Sequence, residues 1–468
     1  MTRSRRIHGL AGTNTQPAIL LAMAASLLLA DCSGRSPAPA PRRTPNIVLI
    51  TADALRYDHL SMNGYPRATS RNIDSFAAGA WNFTDAITVI PKTTPSFATM
   101  FTGRHPEVHG VRSNLEAVPP GAPMLAEVLR SRGYRTAGFV SNPVLDARWG
   151  FGRGFDQYRM FPLQSGMDDM RRAFVEWAQP PWDRPTFVWV HFIDPHGPYT
   201  PPPEDSAVFS GDSLDKGKDT APTRYQPISG FDPNKILGAI PAYQVRGNEN
   251  RVSFYVREYD AEIHYMDRIF GEIVSLLRTR GVFDSSLVIF ASDHGESLGE
   301  NNYYFEHGWY AYDTSLRIPL LIKEPGQSER RRVDEQVSNL DFFPTILAAA
   351  GIEDQWPGPG RNLLAPIESG RSALVENSGR YPERYMGFRT SRLKYLRQIP
   401  SAREELYDLA ADPRETVNRV PADAGALRAA RELYSRLLGE LRETARESEE
   451  GKPGTEHLDD LRRLGYVQ

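Results

Sequence analysis

The sequence has a single cysteine, Cys32, among its 468 residues. One cysteine excludes an intramolecular disulfide framework, a thiolate zinc cluster and a Cys-x-x-Cys redox pair. The chain also lacks an excess of either charge, with 55 Lys and Arg against 58 Asp and Glu, so nucleic acid is not an expected partner. The apolar run Ala18–Ala30 is too short to span a bilayer, because a helix of that length covers about 20 Å of a hydrocarbon core of about 30 Å.

Residues 1–31 have the pattern of a signal peptide, with arginines first and the apolar run after them. The run leads to Asp31-Cys32-Ser33-Gly34, which resembles the lipobox of bacterial lipoproteins, although Asp31 stands where a small residue is usual. Lipidation of Cys32 is the favoured interpretation, and a plain signal peptide is the alternative. Residues 32–44 are rich in proline and predict an extended tether. We therefore expect export to the bacterial periplasm or cell envelope, with membrane contact only through an N-terminal lipid.

Short, uninterrupted apolar runs recur along the chain and are typical of strands buried on both faces. They lie at Ile47–Ile50, Thr136–Val140, Phe187–Val190, Leu287–Ala291 and Pro319–Ile322. Amphipathic helical patterns separate them, the clearest running from Val252 to Leu277 before Gly281. This alternation predicts an α/β fold with a large, mostly parallel sheet flanked by helices.

Composition divides the rest of the chain into two parts. Residues 45–370 carry the strand and helix alternation and form the predicted main domain. Within it, residues 203–250 are rich in Pro, Gly, Asp and Ser, which indicates a lid or an insertion. Residues 371–468 combine short strand-like segments with a terminal helix, so a small C-terminal subdomain of antiparallel sheet and helix is expected.

Polar residues follow the predicted strands directly, where ligands bind in open α/β sheets. Any one of them could be a structural cap, but several at one sheet edge predict a site. Two aspartates and a histidine, with no thiol available, suit a divalent cation bound through oxygen and nitrogen. These residues are Asp53, Asn142, His191, Asp194, His196, Asp293 and His294.

The segment from Thr93 to Gly103 predicts a short helix, with Pro95 in its first turn and Gly103 as its stop. Thr93 then lies just before a helix N-terminus, where free N–H groups favour an anion. A bound dication would also activate its hydroxyl as a nucleophile. The alternative is that Thr93 is an ordinary helix cap.

Together these segments resemble the sulfatases of the alkaline phosphatase superfamily over nearly all of residues 45–468. The matching blocks, in order, are PNIVLITADALRYDHLSMNGYPRATSRNIDSFA, TTPSFATMFTGRHPEVHGV, VHFIDPHGPY, YDAEIHYMDRIFG, FASDHGESLGE, EHGWYAYDTSLRIPLLIK and ELYDLAADPRETVN. The resemblance implies a metal site of Asp53, Thr93, Asp293 and His294, although Ala54 stands where many sulfatases have a second aspartate. It further implies that His196 and His307 contact the reacting ester.

The nucleophile position departs from the usual sulfatase motif, Cys/Ser-x-Pro-Ser-Arg. Thr93 replaces the residue that becomes formylglycine, and Phe97 replaces the arginine. Threonine cannot be oxidised to formylglycine, so none is expected. Relatives that keep an unmodified threonine include phosphodiesterases and phosphoryl-transferring enzymes, and they often have an Asn about twenty residues later. Asn114 matches it and is predicted either to bind the substrate anion or to be a local turn residue.

The resulting hypothesis is a metal-dependent hydrolase of phosphate mono- or diesters in which Thr93 is the nucleophile. The alternatives are a sulfuric ester hydrolase without formylglycine and a catalytically silent surface lipoprotein that binds anions or glycans. The substrate is expected to be a small-molecule, glycan or lipid ester. A histidine ligand beside two carboxylates favours Mn²⁺ or Zn²⁺, and the resemblance keeps Ca²⁺ and Mg²⁺ open. One ion or two stays open, since His191, Asp194, His196 and His307 are available for a second.

Overall fold

The computed structural model describes residues 44–162, 166–223, 238–352, 358–377 and 384–450. The predicted signal peptide, Cys32 and the tether up to residue 43 lie outside the described residues. Residues 224–237 of the predicted lid and residues 451–468 also lie outside them. The strands and helices below are those of the described residues.

The strands, labelled β1 to β15 in chain order, are Asn46–Ala52, Trp81–Ile87, Arg135–Val140, Gln157–Met160, Thr186–Phe192, Ser286–Ser292, Ser297–Leu298, Tyr304–Glu306, Arg317–Lys323, Arg331–Val333, Val337–Ser338, Ala373–Glu376, Arg384–Arg389, Leu393–Ile399 and Glu404–Asp408. The α-helices, labelled α1 to α10, are Arg71–Ala77, Thr93–Thr102, Pro106–His109, Leu125–Ser131, Gly166–Trp177, Pro203–Val208, Val252–Thr279, Asp313–Leu316, Phe342–Ala349 and Ala424–Glu450. Among these described helices, none has the length and apolar character needed to cross a membrane.

The main sheet has the strand order β10, β2, β9, β6, β1, β5, β3, β4, with β11 paired to β2. Its neighbours run parallel, except that β9 is antiparallel to both β6 and β2. The prediction of a large, mostly parallel sheet is confirmed. The run Pro319–Ile322 lies in β9, the strand that breaks the parallel pattern, so its carboxyl end points away from those of β1 and β6.

Hydrophobic cores cover both faces of this sheet because successive strand residues point to opposite sides. Val48 and Ile50 pack into the core that includes the buried face of α7, whereas Ile47 and Leu49 pack into the core that includes α2, α4 and α9. The strand β1 therefore lies at the centre of the sheet with both faces buried, as its unbroken apolar sequence predicts. Helix α7 ends at Thr279, and Gly281 follows it with φ of +67°.

The C-terminal part forms the expected small antiparallel sheet, in the order β12, β13, β14, β15. Leu427, Ala430 and Tyr434 of α10 pack on one of its faces. A buried ion pair between Lys394 of β14 and Asp313, 2.6 Å from Nζ to Oδ1, connects the small sheet to the main domain.

The described part of the predicted lid is bound to the main domain by specific polar contacts. Arg67 forms a bidentate ion pair with Asp212, in which Nε and Nη2 each lie 2.7 Å from a carboxylate oxygen. Further along, Gln244 is buried and accepts a hydrogen bond from the N–H of Tyr199 at 3.1 Å. Gln244 lies so close to Gly197 that a Cβ there would come within 1.8 Å of its amide nitrogen. This segment therefore sits directly on the loop that carries His196.

Candidate metal and active site

Asp53 and Asp293 are neighbours because β1 and β6 are adjacent parallel strands that end together. Ala52, the last residue of β1, pairs with Ser292, the last residue of β6. The next residue of each strand is an aspartate, so the two carboxylates meet at one edge of the sheet. Both side chains are fully buried.

Thr93 reaches the same edge from α2. It is the first helical residue, one position further into the helix than the sequence predicts, and Lys92 is the N-cap. Gly103 ends the helix in the left-handed conformation, with φ of +63°, as expected. The Thr93 hydroxyl lies 3.2 Å from His294 Nε2. The fold therefore brings together all four residues of the predicted metal set.

One carboxylate oxygen of Asp53 is held by the protein, and the other is not. Asn142 Nδ2 donates to Asp53 Oδ2 at 2.5 Å, and His191 Nε2 lies 3.4 Å from the same oxygen. Asp53 Oδ1 is buried without a hydrogen-bond partner among the described residues. Asn142 and His191 follow or end neighbouring strands, and they orient Asp53 so that Oδ1 faces the site.

The two carboxylate oxygens of Asp293 also differ in their contacts. Its Oδ1 accepts hydrogen bonds from the N–H groups of Ala54, at 3.2 Å, and His294, at 2.8 Å. Its Oδ2 is buried and has no hydrogen-bond partner in the described part of the chain. Ala54 has φ of +58°, a strained conformation for alanine. Position 54 thus contributes its backbone to Asp293 rather than a carboxylate ligand.

The tautomer of His294 follows from its contacts. His294 Nδ1 lies 2.8 Å from the carbonyl oxygen of Gly295, which can only accept, so Nδ1 carries the proton. The Nε2 lone pair then faces Asp293 Oδ2 at 3.4 Å, Asp53 Oδ1 at 3.7 Å and the Thr93 hydroxyl. Burial lowers the pKa of His294 to about 4, which keeps the ring neutral.

These atoms fit a divalent cation. Two carboxylate oxygens without partners, a neutral imidazole nitrogen and a hydroxyl converge in a buried space, and buried polar atoms of this kind require a partner. Asp53, Asp293 and His294 place their ligand atoms within 4.8 Å of one another. Carboxylate and imidazole ligands suit several divalent metals, so the donor set does not select one.

The two carboxylates have opposite pKa shifts. Burial alone would raise the pKa of Asp53, but the imidazoles of His196, His191 and His294 outweigh it and lower that pKa. Burial and the charge of Asp53 raise the pKa of Asp293 well above its ordinary value. Two adjacent buried carboxylates do not both ionise without a counter-charge, and a dication provides that charge.

A series of aromatic rings leads from the candidate metal ligands toward the surface. The ring centroid of His307 lies 4.1 Å from that of His294 and 5.1 Å from that of His196. The ring of Tyr243, from the predicted lid, is nearly parallel to His196 with centroids 6.5 Å apart. His307 is buried, whereas 45% of Tyr243 is exposed. The structure thus places both predicted catalytic histidines beside the donor set.

Two residues at this site were not identified from the sequence, Lys92 and Glu296. Glu296 is fully buried, and its Oε1 accepts a hydrogen bond from His307 Nδ1 at 3.1 Å. Lys92 Nζ lies 3.3 Å from His307 Nε2. Both adjoin predicted site residues, Lys92 immediately before Thr93 and Glu296 two positions after His294, and that adjacency was the available signal.

Asn114 and Phe97 have clear local roles. The side-chain oxygen Oδ1 of Asn114 accepts a hydrogen bond from the Thr94 N–H at 3.0 Å, which caps the first turn of α2. The fully buried Phe97 packs against Trp189 and His191, with ring centroids 5.0 and 4.8 Å apart. Phe97 therefore supports the ring that orients Asp53. Contact between Asn114 and a substrate stays a prediction.

Asp194 lies outside the group of candidate metal donors. It lies in the loop after β5, and burial raises its pKa to about 7. In the described ranges, the three-residue donor cluster contains neither Asp194 nor His191. His191 instead faces the oxygen of Asp53 that Asn142 also holds.

His105 and His109, predicted to be structural, are buried at the two ends of α3. Nδ1 of His105 accepts from the Glu107 N–H at 3.2 Å, and Nδ1 of His109 accepts from the Val111 N–H at 3.0 Å. Both rings are therefore neutral. Burial lowers the pKa of His105 to about 4 and that of His109 to about 3.

We expect acid to destabilise the protein through these two rings. The unfolded chain binds their protons below about pH 6.5, whereas the folded chain resists them down to about pH 4 for His105. Stability is therefore full above pH 6.5 and falls toward pH 4, by up to about 3 kcal/mol for His105. The variant His105→Asn keeps the acceptor for Glu107, and its thermal midpoint should fall less steeply from pH 6.5 to 4. Equal slopes in the two proteins would contradict this assignment.

The mixed sheet with metal donors at the ends of adjacent strands, and a hydroxyl at a helix N-terminus beside them, defines a hydrolase of the alkaline phosphatase and sulfatase fold. The chain belongs to the sulfatase family. The family model described as sulfatase matches residues 45–352, and the model described as N-sulphoglucosamine sulphohydrolase, C-terminal, matches residues 303–444. The predicted fold class and the prediction of an ester hydrolase are confirmed.

Similar proteins include the ulvan-active sulfatase of Formosa agariphila, 27% identical over 419 residues that cover 80% of this chain and 76% of that protein. An arylsulfatase of Clostridium perfringens is 24% identical over 458 residues, which cover 81% of this chain and 91% of that protein. Among solved structures, a complex with the substrate D-glucosamine-2-N,6-O-disulfate has a TM-score of 0.73 at 18% identity, covering 86% of this chain and 99% of that chain. The phosphonate monoester hydrolase of Agrobacterium radiobacter has a TM-score of 0.70 at 23% identity, covering 86% and 96%. The structural likenesses show the shared fold.

Proposed function

We propose that the protein hydrolyses phosphate esters, with Thr93 Oγ1 as the nucleophile. The observation that carries this proposal is the position of the Thr93 hydroxyl, 3.2 Å from His294 Nε2 within the donor set. A threonine at this position cannot be converted to formylglycine, so its own hydroxyl is the group available for attack. Its place in the first turn of α2 also favours an anion, because the positive end of the helix dipole lies there.

The site residues have distinct roles in this reaction. Asp53, Asp293, His294 and Thr93 would hold the cation, which when bound supplies charge neutralisation and lowers the pKa of a ligated hydroxyl. Thr93 Oγ1 attacks the phosphorus atom, and the bond from phosphorus to the leaving oxygen breaks. The proton of the Thr93 hydroxyl passes to water as the hydroxyl becomes the attacking alkoxide, and a proton reaches the leaving oxygen from His196. His307 contacts the reacting group without donating a proton, because its Nδ1 proton is held by Glu296. Water then hydrolyses the phosphothreonine and regenerates the Thr93 hydroxyl.

Hydrolysis of sulfate esters by unmodified Thr93 is the second candidate, favoured by the sulfatase names of the curated relatives. Those names, and the bound glucosamine disulfate of one structural relative, also make a sulfated sugar a candidate substrate. Both reactions use the same nucleophile and metal donors, so the site geometry does not separate them.

Rates of hydrolysis of p-nitrophenyl phosphate, bis-p-nitrophenyl phosphate and p-nitrophenyl sulfate by the metal-loaded protein test the proposal. We expect a phosphate ester to have the largest kcat/KM. A sulfate ester with the largest kcat/KM, lost in Thr93→Ala, would overturn the phosphate assignment in favour of the second candidate.

A further inference from the structure

The ammonium group of Lys92 contacts the ring of His307, beside the candidate metal donors. Among the described residues, the buried part of the site contains the carboxyl groups of Asp53, Asp293 and Glu296 and the imidazole rings of His294 and His307. An anionic ester that enters this site needs positive charge in addition to the cation held by the carboxylates. The ammonium group of Lys92 is the group that the structure places there.

The backbone directs Lys92 into the site. Lys92 is the N-cap of α2, and its carbonyl oxygen accepts from the Ser96 N–H at 2.9 Å. Its side chain therefore starts one residue from the nucleophile. The aliphatic stem passes along Gly308, where an added Cβ would come within 3.0 Å of Lys92 Cδ and where φ is +95°. A side chain at position 308 would obstruct this path.

His307 fixes the end of the Lys92 side chain. Glu296 accepts a hydrogen bond from His307 Nδ1. His307 Nε2 therefore presents a lone pair to Lys92 Nζ, 3.3 Å away. An ammonium group has three N–H donors, and this contact uses one of them. The other two donors are available to a further acceptor. The ring of His307, which Lys92 Nζ contacts, lies 4.1 Å from the ring of His294 between centroids, so Nζ is one ring away from the candidate metal donors.

We propose that Lys92 is a catalytic residue that contacts a non-bridging oxygen of the transferred phosphoryl or sulfuryl group. It supplies positive charge from the residue next to the nucleophile, and it strengthens its contact as charge develops in the transition state. This inference rests on the proposed function for the location of the substrate anion. It does not depend on which of the two esters is the substrate.

The test measures binding of inorganic phosphate and of inorganic sulfate to the metal-loaded protein by calorimetry, for the wild type and for Lys92→Met. We expect Lys92→Met to weaken the better-bound anion by 10- to 100-fold, as for loss of a hydrogen bond to a charged group, with unchanged metal content. Lys92→Arg should recover part of the affinity. Arg104→Met, which removes a cation at the far end of the same helix, about 15 Å away, is the matched control and should bind the anion as the wild type does.

Lys92→Gln is the second variant, because it keeps most of the stem and a donor for His307. Anion affinity within twofold of the wild type in either variant that retains metal overturns the proposal. A structural role alone would change metal content or thermal stability and leave the affinity of the metal-loaded protein intact. If the wild type hydrolyses none of the three p-nitrophenyl esters, the proposed function fails, whereas the anion affinities still decide the role of Lys92.

Discussion

Replacing Thr93 by alanine is expected to reduce kcat by on the order of 10⁵-fold, the scale seen when an enzyme loses its covalent nucleophile. The variant keeps Asp53, Asp293 and His294, so it should bind metal nearly as well as the wild type. The Thr93 side chain is fully buried, and the loss of one hydroxyl and one methyl group leaves the α2 backbone intact. Steady-state rates and metal content, measured on the same preparation, check both expectations.

The neighbouring threonine provides the control for this experiment. Thr94 Oγ1 donates to the carbonyl oxygen of Val144 at 3.0 Å, away from the donor set. Thr94→Val should therefore cost about 1 kcal/mol of stability and leave kcat within a few-fold. Thr93→Ser, which keeps the hydroxyl, should retain measurable activity. Wild-type turnover by Thr93→Ala would show that another group, such as water, attacks the ester directly.

Replacing Asp293 by asparagine is expected to remove stoichiometric metal and to reduce kcat/KM by at least about 10³-fold. An asparagine oxygen can still accept from Ala54 and His294, as Asp293 Oδ1 does, so the fold should be preserved. The amide nitrogen replaces Oδ2, the buried oxygen without a partner. A donor then faces the lone pair of His294, and one negative charge is lost from the site, both of which oppose binding of a cation.

Metal content after dialysis, measured by elemental analysis, checks this prediction. Asp284→Asn is the matched control, because Asp284 precedes β6 at its opposite end and is exposed. It removes the same charge and should keep metal and activity. Full metal occupancy and activity in Asp293→Asn would exclude the proposed site.

The proximity of Asp53 and Asp293 could be predicted from the sequence. Asp53 and Asp293 each come soon after an apolar run. Because β1 and β6 are adjacent parallel strands that end in register, the residues that follow them must lie side by side. Asn142 and His191 lie at the ends of neighbouring strands and so near Asp53. The hydrogen bond from Asn142 Nδ2 to Asp53 Oδ2 and the 3.4 Å distance from His191 Nε2 to that oxygen depend on side-chain geometry that a strand pattern does not contain. The antiparallel direction of β9 could not be predicted from its apolar sequence, because a buried strand has the same composition in either direction.

Lys92 and Glu296 show what sequence patterns do not contain. Lys92 and His307 are 215 residues apart, and their contact depends on the path of the lysine stem past Gly308. Nothing in the local sequence distinguishes this lysine from a solvent-exposed N-cap. Glu296 lies in a short segment after β6. His307 directly follows β8, and the position of that strand brings His307 to Glu296.

The origin of the metal donors in distant parts of the chain also has a consequence for folding kinetics. Ala54, beside Asp53, contacts Asp293 across 239 residues of sequence, and Thr93 contacts His294 across 201. Contacts this distant in sequence form slowly, because long loops must close before the contact is gained. The donors therefore assemble only after β6 has docked beside β1, late in folding. Capture of the cation should thus follow formation of the central sheet, and the ion then slows unfolding rather than guiding the early chain.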